Sequence, residues 1–147
     1  MSRIVLLDAG PLGLLIHPRH NAPVRVWLST LLQSPVTVLI PEIADYEVRR
    51  EVLRIGSAES VARLDGFKNT LGYAPITTEA MLQAAAFWAD IRRGGRPTAD
   101  ATALDGDVIL AAQARAMAMR GNEVVVATTN VRHIERFVPA RIWSDVS

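Results

Sequence analysis

Arg3-Ile4-Val5-Leu6-Leu7-Asp8-Ala9-Gly10-Pro11 carries the first decision about the fold. Ile4 to Leu7 are four consecutive large apolar residues with no polar alternation. That is the pattern of a strand buried on both faces of a parallel sheet, not of a strand with one wet face. Asp8 ends the run and Gly10-Pro11 breaks it, so a carboxylate sits at the strand's carboxyl end. In open α/β sheets ligands bind beyond the carboxyl ends of the strands, at the point where strand order reverses. An Asp directly before a helix is also a common cap. Asp8 alone therefore leaves two readings, cap or site.

The chain beyond it alternates helix and strand patterns. Residues 11–16 read as a short helix closed by His17-Pro18, and 19–23 as a loop. Residues 24–32 form an amphipathic helix with Val24, Trp27, Leu28, Leu31 and Leu32 at helical spacing. Residues 36–40, β-branched and apolar between Pro35 and Pro41, read as the second strand. Pro41 opens a helix, where its missing N–H costs nothing. That helix runs to about residue 55 and stops at Gly56. Ser57 caps the next one, to about residue 70. Residues 74–76 predict a short extended piece. Thr77 or Thr78 caps a long helix with Met81, Leu82, Ala85, Trp88 and Ala89 on its inner face. Gly94-Gly95-Arg96-Pro97-Thr98 breaks it, and 94–104 predicts the most mobile loop. The helix predicted over 105–120 is apolar almost all round, the mark of burial on several sides. A strand over 123–128, a short helix within 130–137 and an edge strand over 140–143 complete the chain. The class is α/β with a mainly parallel sheet.

The 147 residues suit one domain with a sizeable core, and half of them are apolar. There is no cysteine, which excludes disulfides, Cys-ligated zinc and a Cys nucleophile. No apolar run approaches the ~18 residues of a membrane span. The opening Met-Ser-Arg-Ile lacks the layout of a signal peptide, so a cytoplasmic protein without a membrane partner is expected. The net charge of +1 is no strong nucleic-acid footprint. Of the 16 basic residues only Lys68 is lysine. Arginine forks suit phosphate, and a GC-rich genome gives the same bias.

Most of the 15 acids have local partners. Asp45 has Arg49 four residues on and Glu51 has Arg54 three on, both read as surface pairs. Glu42 lies in a first turn, where the helix dipole favours an acid. Glu47 is less easily dismissed. At about 100° per residue it points between Ile43 and Ala44, with Glu51, a like charge, one turn on. A pair with Arg50 is the ordinary alternative. In Asp105-Gly106-Asp107, Asp105 is a natural N-cap and Asp107 falls in the first turn. That end of a buried helix can also lie beside the carboxyl end of a strand. Three or four carboxylates in one cleft, with no Cys and few His, make an all-oxygen site suited to Mg²⁺ or Mn²⁺. Such ions polarise phosphate and activate water, so a phosphodiester is the natural substrate.

Four stretches taken together resemble a known family. They are Asp8 after its strand, Glu47 within Pro41 to Glu51, Asp107 in Asp-Val-Ile-Leu-Ala-Ala-Gln-Ala, and the late Ala127-Thr128-Thr129-Asn130-Val131-Arg132-His133. Their order and spacing resemble the PIN domain, and within it the VapC-like toxins of bacterial toxin–antitoxin pairs. The resemblance implies a three-layer α/β/α sandwich and a Mg²⁺- or Mn²⁺-dependent ribonuclease acting on RNA. Asp8, Glu47 and Asp107 take the places of its catalytic and metal-binding acids. Asp105 stands as a further metal ligand or a cap. Thr128 and Asn130 would position phosphate or a metal-bound water, and Arg132 and Arg96 would neutralise the RNA backbone. A cognate antitoxin whose tail fills the cleft, and a homodimer formed through apolar residues of the middle helices, are the implied partners.

Two positions depart from the pattern. His133-Ile134 stands where many members carry a fourth acid in an Asp-Phe pair, and Ala9 stands where Ser or Thr is common. His133 reads either as a phosphate or proton-transfer contact or as a surface residue capping a turn. The departures motivate a second reading, a catalytically weakened module that binds RNA or protein without cutting. An aspartyl-phosphate hydrolase would want another Asp where Gly10 stands.

Overall fold

The computed structural model describes residues 2–94 and 101–147. Its first strand, β1 (Arg3–Leu7), is the middle of a five-stranded sheet. The other strands are β2 (Thr37–Pro41), β3 (Gly72–Ala74), β4 (Glu123–Thr128) and β5 (Ala140–Ile142). The order is β3-β2-β1-β4-β5, and every pairing is parallel. The chain thus builds outward from β1 to one edge and then returns to build the other. β1 and β4 are the pair between which the order reverses, and Leu7 lies opposite Ala127 in their register.

The β1 pattern works as a two-faced strand should. Val5 and Leu7 join one apolar cluster, and Ile4 and Leu6 join the other. Val5, Leu6 and Leu7 are fully buried, each worth about 1.5–3 kcal/mol relative to exposure. One face is covered by α1 (Ala9–Ile16), α2 (Ala22–Leu31), α3 (Glu42–Arg54) and α4 (Ala58–Thr70). The opposite face is covered by α6 (Ala101–Met119), which α5 (Thr78–Arg93) backs. The result is a three-layer α/β/α sandwich. None of the described helices is long and apolar enough to cross a membrane.

The local chemistry at the helix starts is as expected. Ser57 Oγ accepts from the Ser60 N–H, and Thr77 Oγ1 from the Ala80 N–H. Gly56 ends α3 with φ of +74°, a conformation that favours glycine. The extended piece expected at 74–76 is β3, two residues earlier.

Two expectations are corrected. The inner face of α5 is not Met81, Leu82, Ala85, Trp88 and Ala89. Ala80 and Ala84 pack on Leu104, Val108 and Ala112 of α6, while Met81, Leu82 and Trp88 are exposed. Small Ala80 and Ala84 sit at the centre of the contact, Phe87 and Ile91 pack at its margin, and the larger side chains named above are left outside. Second, α6 begins at Ala101, so Asp105 is not its N-cap and Asp107 is not in its first turn. This start falls inside the segment read as a mobile loop. Arg96 lies outside the described residues.

Candidate active site

Asp8 emerges at the switch point as the cap of α1 and a partner of Thr128. Its Oδ1 accepts from the Ala9 N–H at 2.7 Å, capping α1. Its Oδ2 accepts from the Thr128 hydroxyl at 2.6 Å. Thr128 is the last residue of β4, and the β1–β4 register brings the two side chains together. Burial pushes the Asp8 carboxyl above its ordinary value, against the Thr128 and Ala9 hydrogen bonds and the charge of His133.

Glu47 reaches the same place from α3. Its carboxylate lies against Gly106 of α6. A Cβ on that glycine would stand 2.8 Å from Oε2. Burial raises its pKa from 4.5 to about 7, the negative charge of Asp8 adds to the rise, Arg50 opposes it, and Asp107 adds again. Arg50 itself lies over the Tyr46 ring, 5.2 Å from the centroid. Asp107 is raised by burial and by Asp8, and lowered by His133 and Arg136. Its Oδ2 is 3.0 Å from His133 Nδ1. Three acids from β1, α3 and α6 therefore act on one another electrostatically in one cleft.

The remaining candidates divide. Thr128 is 0 % exposed, and its hydroxyl donates to Asp8 and accepts from the Asn130 N–H at 3.0 Å. It is a positioning residue for Asp8. Asn130 and Arg132 are exposed on the segment that follows. Asp105 is exposed and lines a groove with Met81, Ala84, Ala85 and Trp88 of α5. At helical spacing it lies on a different side of α6 from Asp107, and the structure does not bring it to the other acids. The dismissed acids keep their pairs: Arg54 with Glu51, and Arg49 with both Asp45 and Asp65. Asp45 is buried, not a surface partner. Glu42 accepts from Tyr73 Oη and the Ile76 N–H, which ties β3 and its loop to α3.

The contact of His133 with Asp107 and the approach of Gly106 to Glu47 were not foreseen from the sequence. The signal for Gly106 was available, since a glycine inside a helix costs about 0.5–1 kcal/mol against alanine and calls for a compensating close contact. Gly10 has a similar reason: a Cβ there would collide with Thr129 Oγ1. The backbone of α1 thus approaches the segment after β4.

The donors suit a hard divalent ion in kind: three carboxylates within electrostatic reach, with burial disfavouring their charged forms and repulsion adding to this at Glu47 and Asp107. Among the described residues no three His, Cys, Asp or Glu side chains stand close enough to cage an ion by themselves. Mg²⁺ needs no such cage, because it keeps several waters and is held through one or two carboxylates plus substrate phosphate.

Two variants separate positioning from packing. Thr128→Val leaves Asp8 Oδ2 without its donor. It should cost about 1–3 kcal/mol, seen as a melting temperature lowered by several degrees, with Thr128→Ser close to wild type. Equal melting of the Val and Ser variants would refute the positioning role. Gly106→Ala should melt no lower than wild type, since alanine favours the helix. Its methyl displaces the Glu47 carboxylate from its buried place, so Glu47 should titrate closer to its ordinary value, read by NMR. An unchanged Glu47 titration would show that the approach of Gly106 does not govern its placement.

No protein-family model matches the chain, and no curated protein sequence matches it. Solved structures match in shape. VapBC2 of Rickettsia felis, bound to a DNA fragment from its promoter, is 17% identical, covers 94% of this chain and 97% of that chain, and gives a TM-score of 0.73. DNA-bound VapBC of Salmonella typhimurium is 22% identical, with 97% and 99% covered and a TM-score of 0.72. VapC20 of Mycobacterium tuberculosis, a toxin that cleaves the sarcin–ricin loop, is 17% identical, with 91% and 96% covered and a TM-score of 0.60. Identities this low speak to fold, and the fold of this chain is that of the VapC proteins.

Proposed function

We propose that this chain is a Mg²⁺- or Mn²⁺-dependent endoribonuclease, the toxin of a toxin–antitoxin pair acting in the cytoplasm. The observation that carries the reading is the convergence of Asp8, Glu47 and Asp107 at the switch point. Burial raises the pKa of all three, the charges of Asp8 and Asp107 add to the rise at Glu47, and the charge of Asp8 adds to it at Asp107. Buried carboxylates that repel one another in this way are poorly compensated until a cation joins them. The fold shared with VapC20, a toxin that cleaves RNA at the sarcin–ricin loop, supports the same reading.

Asp8 and Asp107 would hold the ion, directly or through water, with Glu47 completing the set. The bound ion would supply Lewis-acid polarisation of the phosphate and a more acidic attacking water. Where Glu47 stays off the ion, its buried carboxylate is placed to take the proton from that water. As the water oxygen bonds to phosphorus, the bond to the leaving oxygen breaks and that oxygen takes a proton from solvent. Thr128 keeps Asp8 in place. Asn130 and Arg132, exposed at the rim, meet the RNA phosphates. A groove of about 420 Å³ between α1 and α3, lined in part by Gly13, His17, Glu47 and Val52, opens beside the acids. It is where an antitoxin tail with a basic side chain would reach them. Exposed Met81, Leu82 and Trp88 are the apolar residues a homodimer would cover.

The test is cleavage of a pool of structured and unstructured RNAs with Mg²⁺ or Mn²⁺ against EDTA, with fragment ends mapped. Metal-dependent internal cleavage supports the reading. RNA binding without cleavage would put the binding-module alternative in its place.

A further inference from the structure

The first half of α3 carries a cation–ring pair beside the acids. Tyr46, the residue before Glu47, is 56 % exposed, and the Arg50 guanidinium carbon stands 5.2 Å from its ring centroid, within reach of a cation–π contact. Their four-residue spacing makes the two side chains neighbours on the helix surface. Other rings that meet a cation are committed elsewhere. Phe67 and Phe137 pack against the core clusters, and Tyr73 gives its hydroxyl to Glu42. Trp88 forms a similar pair with Arg92, but on α5, which contributes no acid to the cleft. Tyr46 alone of these adjoins a site acid, and more than half of it stays open with Arg50 in place.

Glu47 divides α3 into two flanks. Val48, Glu51 and Val52 face the groove beside α1. At about 100° per residue, Tyr46 and Arg50 fall on the other flank with Ile43, which shares an apolar cluster with Leu110 and Ala111 of α6. The Arg50 charge acts on the Glu47 carboxyl, so the pair and the acids share one neighbourhood. An exposed ring on a rigid helix and a planar guanidinium are the surfaces on which proteins stack unpaired bases. A base inside a duplex is already stacked and has no face to offer. The arginine also suits the phosphate next to such a base. The position of Tyr46 favours nucleic acid over a protein partner: its Cα lies about 3.8 Å from that of Glu47, so what rests on the ring is continuous with what rests at the acids. We infer that Tyr46 and Arg50 form a stacking platform for an unpaired base flanking the phosphodiester at the acids, an inference that rests on the ribonuclease reading proposed above.

The experiment uses the full chain, Mg²⁺ and a single-stranded RNA oligonucleotide containing a bond whose cleavage has been mapped. Copies of it are made abasic at the nucleotide on one side of that bond or the other. Steady-state rates give kcat and KM, and melting curves check each variant's fold. Tyr46 is exposed, so its variants should melt close to wild type. Tyr46→Ala should raise KM about tenfold, the scale of losing one stacked base, with kcat within about twofold, as for an interaction made equally in ground and transition states. Tyr46→Phe, which keeps the ring, should stay within about threefold of wild type in KM. Removing one of the two flanking bases should raise KM about tenfold for the wild type and leave it nearly unchanged for Tyr46→Ala, since base and ring then have no partner to lose. Arg50→Ala should raise KM as well, and the double variant should raise it by less than the product of the two. An Ala variant with unchanged KM, a loss of kcat at unchanged KM, a Phe variant as weak as Ala, an abasic penalty that persists in full in the Ala variant, or a double variant equal to the product would each overturn the inference and leave the ribonuclease reading in place. A wild type that cleaves no RNA would overturn that reading, and the inference with it.

Discussion

Asp8→Asn is expected to melt no lower than the wild type in the absence of metal and to cleave RNA about a hundred- to a thousandfold more slowly, the scale of losing one electrostatic group of a site. The two effects follow from one environment. The substituted amide keeps a carbonyl oxygen for the Ala9 N–H, so the cap on α1 survives. Its NH₂ group can face the Thr128 hydroxyl, which rotates to accept, since a hydroxyl has two lone pairs and Asn130 uses only one. Packing and hydrogen bonding are thus conserved, while a charge that burial disfavours is gone. Repulsion of Glu47 and Asp107 by that charge disappears as well, so Glu47 should titrate lower in the variant. A residue serving only as a helix cap would behave differently: Asn caps as well as Asp, so the substitution would leave cleavage alone. Melting curves in EDTA together with Mg²⁺-dependent cleavage of a mapped RNA decide between the two. Undiminished cleavage would remove Asp8 from the site.

How far the sequence can be read depends on which forces are local. The bounds of β4, Glu123–Thr128, follow from its own β-branched residues. The place of β1 follows from four apolar residues that only a two-faced strand can bury. Asp8 and Glu47 could be singled out because each breaks its own local pattern, one by ending a buried run and the other by pointing among apolar neighbours. The face of α5 could not be read this way. Hydrophobicity ranks Met81, Leu82 and Trp88 above Ala80 and Ala84, but close helix packing selects small side chains over large ones, and that choice belongs to the pair of helices. The start of α6 was misplaced because Asp105 looks like a cap, although the helix continues one turn before it. Thr128 and His133 became legible only in space. Their partners, Asp8 and Asp107, are 120 and 26 residues away along the chain. A residue whose task is to orient another carries no pattern of its own.

The metal-free protein should lose stability as pH rises from about 4.5 to about 7, and Glu47→Gln should remove much of that loss. The folded chain holds the Glu47 proton up to about pH 7, whereas the unfolded chain releases it near 4.5. Across that window the folded state binds more protons, so raising pH favours unfolding, and above it the loss is complete. Asp8 and Asp107 are shifted in the same direction from 3.8 and extend the effect at the acid end. Glu47 is partly open to solvent, and after discounting for screening its share is about 1–2 kcal/mol. At pH 8 in EDTA, Glu47→Gln should therefore melt several degrees above wild type, and at pH 4 the two should coincide. Divalent ion acts in the opposite sense. By binding only the folded chain it stabilises the wild type, by about 2.7 kcal/mol at a hundred times its dissociation constant. The Gln variant, lacking one donor, should gain less and cleave about a hundredfold more slowly. Melting temperatures of both proteins from pH 4 to 8, with EDTA and with Mn²⁺, test all of this. A wild type whose metal-free stability does not change between pH 5 and 8, or a Gln variant that melts below it at pH 8, would show that the three carboxylates do not confront one another as the geometry requires.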